Sequence, residues 1–133
     1  MKNEIFWLTL TILMTSFFWL PYIINRILEN DLIPALRNPN RDEPAQNMWA
    51  NRMMHAHTNA VENLVLFAPL VILVEMLQLN NDNTSLACMV FFFTRLGHFL
   101  TYSFGIPYIR TLFFFIGFLV QGYLALNILQ AIG

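Results

Sequence analysis

The chain of 133 residues is 57% hydrophobic and 11% charged, with 13 phenylalanines and a formal net charge of −1. A soluble domain of this length does not need so much apolar surface for one core, and the charge balance offers nothing to nucleic acid. The composition is that of an integral membrane protein, one domain over residues 1–133; its single cysteine, Cys88, excludes an intramolecular disulfide.

Four membrane spans are expected. The first runs roughly from Ile5 to Leu28, with Trp7, Trp19 and Tyr22 as interfacial anchors and Pro21 as a kink point. Its long apolar part, its tryptophans and the lack of a small-x-small site argue against a cleavable signal. The stretch from Asn25 to Asn51, with Asp31, Pro34, Arg37, Asn38, Pro39, Asn40, Arg41, Asp42, Glu43 and Pro44, reads as a polar loop.

The second span is expected from Met53 to Leu79, the third from Leu86 to Phe104 and the fourth from Pro107 to Ile132. Each has about the 20 residues needed to cross the hydrocarbon. The connections are an Asn/Asp turn over Gln78 to Ser85 and a tight turn through Gly105-Ile106-Pro107. Short turns between spans give an all-α, up-and-down four-helix transmembrane bundle. The first and third loops carry Arg26, Arg37, Arg41, Arg52 and Arg110, whereas the other side has only Lys2. The basic excess puts both polar loops in the cytoplasm and both termini outside.

Two polar stripes interrupt the apolar pattern. Arg52, His55, Asn59 and Glu62 stand three, four and three residues apart, on one face at the start of the second span. Arg95, His98 and Tyr102 share a face of the third span, with Arg95 roughly midway. A charge at that depth normally faces the bundle interior and finds a partner; Glu62 is the carboxylate nearest its level. With Arg110 at the start of the fourth span, Arg52, Asn59, Glu62, Arg95, His98 and Tyr102 outline a pocket at the cytoplasmic end. Several cations, one carboxylate and an amide under apolar walls suit a small anionic or zwitterionic molecule. An arginine beside a bound thiol would also favour its thiolate. The same groups would equally serve interhelical hydrogen bonding, which membrane bundles use routinely. His55 and His57 are expected at the membrane surface, Glu75 at the far interface and Cys88 as a small packed residue, and no third ligand accompanies the histidines for a metal. A channel is disfavoured, because a single polar cluster at one end gives no continuous polar path.

The run Arg52-Met-Met-His-Ala-His-Thr-Asn59-Ala-Val-Glu62-Asn-Leu, followed by Phe67, resembles the signature of the membrane-associated proteins in eicosanoid and glutathione metabolism (MAPEG). Arg95-Leu-Gly-His98 through Tyr102 to Gly105-Ile-Pro-Tyr-Ile-Arg110-Thr111-Leu is similar to the family's second motif. The resemblance covers nearly the whole chain and looks nearest to small bacterial members. It implies a homotrimer of the bacterial inner membrane that binds glutathione as co-substrate between protomers, near the cytoplasmic side. It implies Asn59, Glu62, His98 and Tyr102 as glutathione ligands, Arg110 as the arginine next to the thiol and Thr111 as the neighbouring hydroxyl. Arg52 would stand at the rim, and Arg26 would be the first-helix arginine that reaches an adjacent site. The implied activity is a glutathione-dependent transferase or peroxidase, acting on a lipophilic small molecule that arrives from the surrounding membrane lipids. The alternative is a non-catalytic trimer whose polar network serves assembly. Thr58 stands where the eicosanoid enzymes have arginine, and Phe114 where some members have tyrosine, so fewer polar contacts to glutathione are implied.

Overall fold

Helix is the only way this sequence can hide its backbone polar groups inside lipid without a closed barrel. The computed structural model describes residues 3–37 and 47–133. Lys2 and the loop residues Asn38 to Pro44 lie outside the described residues. Among the described residues six helices follow in order: α1 (Asn3–Phe17), α2 (Leu20–Asn30), α3 (Leu32–Leu36), α4 (Met48–Met76), α5 (Asp82–Ser103) and α6 (Pro107–Ile132). Four segments are long and apolar enough to cross a membrane: α1 with α2, α4, α5 and α6. Helices α4 and α5 pack on each other, and each also packs against α1 and α6.

The expected kink is a break at Phe18 and Trp19, and Pro21 sits in the first turn of α2, where its missing N–H costs nothing. The expected polar loop is shorter than composition suggested. Asn25 to Asn30 continue α2, residues 32–36 form α3, and α4 starts at Met48 rather than Met53. The reason is pairing on α4. Asn25 Nδ2 donates to Glu29 Oε1 at 3.0 Å, while Asn47 Nδ2 donates to Asn25 Oδ1 at 2.6 Å. The Asn47 backbone N–H also reaches Glu29 Oε1 at 3.2 Å. Polar residues that read as loop thus form one face of a helix.

The core has two parts. Leu8, Phe67, Val71, Val74, Phe91, Val120, Leu124 and the fully buried Cys88 fill the half nearer the α4–α5 turn. Phe18, Ala56, Ala60 and Phe99 fill the other half. Stacked pairs tie each part together, Phe67 on Phe91 at 3.7 Å and Phe18 on Phe99 at 3.6 Å between ring centroids. Gly97 lets α5 and α6 approach: a Cβ there would lie 2.6 Å from the Phe113 ring.

The two turns differ in how they are made. Asn81 forms a capping box at the start of α5: its Oδ1 accepts from the backbone N–H groups of Asn83 and Thr84, and Thr84 Oγ1 accepts from the backbone N–H of Asn81. The α5–α6 turn depends on Gly105, whose φ of +74° suits a residue without Cβ, followed by Pro107 at the first position of α6. Here the end of the bundle at the α4–α5 turn is termed the closed end, and that at the α5–α6 turn the open end.

Candidate functional site

The polar residues of α4, α5 and α6 join into one chain descending from the open end. Arg110, half-buried in the first turn of α6, holds its guanidinium 4.7 Å from the centroid of the Tyr102 ring. Tyr102 lies against His98, with centroids 5.7 Å apart. His98 Nδ1 accepts from Arg95 Nη2 at 3.1 Å, and the same nitrogen donates to Asn59 Oδ1 at 2.5 Å. Below Asn59, Asn63 Nδ2 donates to its carbonyl at 2.9 Å, and Gln121 Nε2 of α6 donates to Asn63 Oδ1 at 3.2 Å. The α-helical spacing of Asn59 and Asn63, four residues, puts both amides on the face towards α5 and α6.

Arg95 is the centre of this arrangement and its unfinished part. It is 1% exposed, yet among the described residues its Nε and Nη1 have no hydrogen-bond partner. It lies eight residues before the end of α5, so about 12 Å along the helix from the open end. A buried guanidinium left without a counter-charge costs several kcal/mol. Gly117 of α6 passes beside it; a Cβ there would lie 3.7 Å from Arg95 Nη1.

The expected pairing of Arg95 with Glu62 is not made. The carboxamide of Asn59 takes the guanidinium, and Glu62, three residues on, is turned to the exposed side of α4. Three residues correspond to about 300° of helix, enough to put the two side chains on adjoining but different sides. His57, expected at the membrane surface, is half-buried: its Nδ1 shares a 2.7 Å hydrogen bond with the Tyr22 hydroxyl, and Phe18 meets its ring edge-on. His55, by contrast, is exposed.

Of the residues expected at the site, Asn59, His98, Tyr102 and Arg110 are brought together, with Arg95 linking the first two. Phe114 lies alongside, its ring centroid 6.2 Å from that of His98. Thr111 is exposed and donates to the Pro107 carbonyl at 3.2 Å. Arg52 donates from Nε to the Ser103 carbonyl at 2.9 Å, which fixes the end of α5 against α4 at the rim. Arg26 lies on α2, with its Nε buried and unpartnered among the described residues. Asn63 and Gln121 are members that sequence reasoning missed. The signal was present: Asn63 extends the Asn59 stripe by one turn, and Gln121 is an amide deep in an otherwise strongly apolar span.

These features define a four-span, all-helical integral membrane protein with a polar cluster built into one end of its bundle. A model of the MAPEG family matches residues 5–130, and the chain belongs to that family. The family includes glutathione-dependent transferases and peroxidases as well as members that are not catalysts. No curated protein and no solved structure gives a match.

Proposed function

We propose that the protein is a glutathione-dependent membrane transferase or peroxidase acting on a lipophilic electrophile, with Arg110 stabilising the thiolate. The observation that carries this reading is the placement of Arg110 over Tyr102, beside His98 and at the open end of a polar chain. A guanidinium next to a thiol favours loss of the thiol proton, and the thiolate is the attacking form. In conjugation the sulfur lone pair forms the new S–C bond, and the leaving group departs with the bonding pair. In peroxide reduction the sulfur attacks one peroxide oxygen, the O–O bond breaks and the alkoxide leaves with its electron pair to take up a proton. A second glutathione thiolate then attacks the sulfenic sulfur, giving the disulfide and releasing water. Asn59, His98 and Tyr102 would hold the rest of glutathione, and the electrophile would come from the lipid side.

The site is half of one chain's making. Glu62 and Thr111 face outward, and a carboxylate about 21 Å along α4 from its start is costly against lipid. A neighbouring copy of the chain against the outward side of α4 would cover Glu62, which supports a homotrimer with glutathione held between protomers. Arg52 and Arg26 are then rim groups of that shared site. The excess of arginine at the open end supports a cytoplasmic orientation in a bacterial inner membrane, with both chain ends on the far side.

The test is the ultraviolet absorbance of thiolate on adding millimolar glutathione to the purified protein in detergent. A thiolate band that disappears in Arg110→Ala, with unchanged helical content, supports the reading. Absence of both the band and any thermal shift with glutathione rejects it. The second reading, a non-catalytic trimer, is favoured by the interior position of Arg95, Asn63 and Gln121, which hold helices together without reaching the surface. On that reading glutathione changes nothing, while disrupting these residues dissociates the assembly.

A further inference from the structure

The segment between α1 and α4 carries an apolar surface that the site does not use. Helix α2 is two-sided. Tyr22, Asn25 and Glu29 face α4 and bond to it, the first through His57 and the other two through Asn47. On its other side Ile24 is 54% and Leu28 80% exposed. The chain then turns at Asp31, a non-glycine residue with φ of +64°, and α3 presents Leu32, Ile33 and Leu36, with 66% of Ile33 and 73% of Leu36 exposed. Arg37 follows directly.

Two independent observations say what covers this surface. First, it continues the lipid-facing stripe of the first span. The exposed residues Phe6, Leu13, Phe17, Ile24 and Leu28 are spaced seven, four, seven and four, at helical intervals on both sides of the Phe18–Trp19 break. Second, its depth fits. The first span with α2 has 28 residues, about 42 Å of helix, which matches a bilayer with its headgroup regions and exceeds the ~30 Å hydrocarbon core. Through its bonds to Asn47, the end of α2 stands level with the start of α4, five residues, or about 8 Å, beyond Arg52 at the rim. That is the thickness of one interfacial layer.

We infer that the end of α2 and α3 form an interfacial foot, lying in the phospholipid headgroup and upper acyl region of the leaflet at the open end. The apolar side chains point into the acyl boundary, and Arg37 is placed to reach phosphate, as amphipathic interfacial helices do. Because the opposite face of α2 is bonded to α4, the foot also sets the depth at which α4 presents its rim. The inference concerns lipid alone and stands whether or not glutathione binds.

The experiment uses the full chain in phosphatidylcholine vesicles with a polarity-sensitive fluorophore on Ile33→Cys. Leu13→Cys serves as the deep reference, and Asn83→Cys, at the exposed α4–α5 turn, as the aqueous one. The wild-type protein, whose Cys88 is fully buried, is the labelling blank. The expected result at position 33 is blue-shifted emission, stronger quenching by a shallow acyl nitroxide than by a mid-chain one, and less quenching by an aqueous nickel chelate than at position 83. Aqueous quenching equal to that at position 83 overturns the inference, because the segment then stands in water. Protection from all three quenchers also overturns it, because protein rather than lipid then covers the foot.

Discussion

The two ends of the bundle use polar residues in opposite ways. At the closed end each buried polar group is answered within the chain. Glu4, 1% exposed at the start of α1, accepts from Thr84 Oγ1 at 2.5 Å, and that same Thr84 completes the capping box with Asn81. Glu75 accepts from Asn80 Nδ2 at 3.0 Å across the turn. Towards the open end, among the described residues, Arg95 keeps two unpartnered nitrogens, Arg26 keeps one, and Glu62 faces outward. A fully satisfied polar cluster is a structural device, whereas each donor left over in a buried one calls for an explanation. The difference teaches where to look for ligand or partner, and it can be broken by mutation.

The largest expected loss lies at the closed end. Thr84→Val keeps the shape of the side chain but removes both its donor to Glu4 and its acceptor for Asn81. A buried carboxylate deprived of a partner costs about 1–3 kcal/mol, and a lost cap about 1 kcal/mol more. The thermal midpoint in detergent should fall accordingly, whether or not glutathione is present, and Thr84→Ser should restore it. A Thr84→Val protein as stable as wild type would remove the distinction between the ends. Next comes Gly97→Ala, where the new methyl meets the Phe113 ring at 2.6 Å. Overpacking of this kind costs about 1–3 kcal/mol, read as a lower midpoint, and Phe113→Leu in the same chain should recover part of it.

Much of the architecture was legible because membrane spans announce themselves by length and hydropathy. The positions of α5 and α6 agree with expectation to within a few residues, since Gly105-Ile106-Pro107 leaves little freedom for the turn. What misled was local polarity. Asn25, Glu29 and Asn47 look like loop until their mutual hydrogen bonds are seen, and that pairing depends on contacts 18 and 22 residues apart in the chain. Glu4 was overlooked because it precedes the apolar run by one residue. Partner choice was the hardest matter. Asn59 and Glu62 are both near Arg95 in sequence geometry, and only the rotation of α4 against α5 decides that the amide takes the guanidinium.

Arg95→Met probes the open end with a smaller expected effect on stability. Asn59 Oδ1 keeps the N–H of Asn63 at 3.3 Å, so it is not orphaned, while His98 loses one donor. Replacing buried charge with an apolar residue of similar volume is often neutral or stabilising, so the apo midpoint should hold or rise rather than fall. Any stabilisation by glutathione should shrink, because the polar chain that positions His98 is cut. A collapse of the apo protein instead would show that Arg95 is satisfied and structural, like Glu4.

Arg110→Ala should have the smallest effect on folding and the clearest one on chemistry. Its recorded contact is the cation–π approach to Tyr102, worth about 0.5–1 kcal/mol at a partly exposed site. The midpoint without ligand should therefore barely move, while the thiolate band disappears. Arg110→Lys separates charge from shape. A lysine keeps the positive charge but not the planar fork, so it should retain part of the thiolate signal if the cation itself lowers the thiol's proton affinity. If Lys behaves like Ala, the guanidinium's geometry over Tyr102 is what matters. If Ala keeps the full band, the thiolate is held elsewhere, and Arg110 belongs with the structural residues of the closed end.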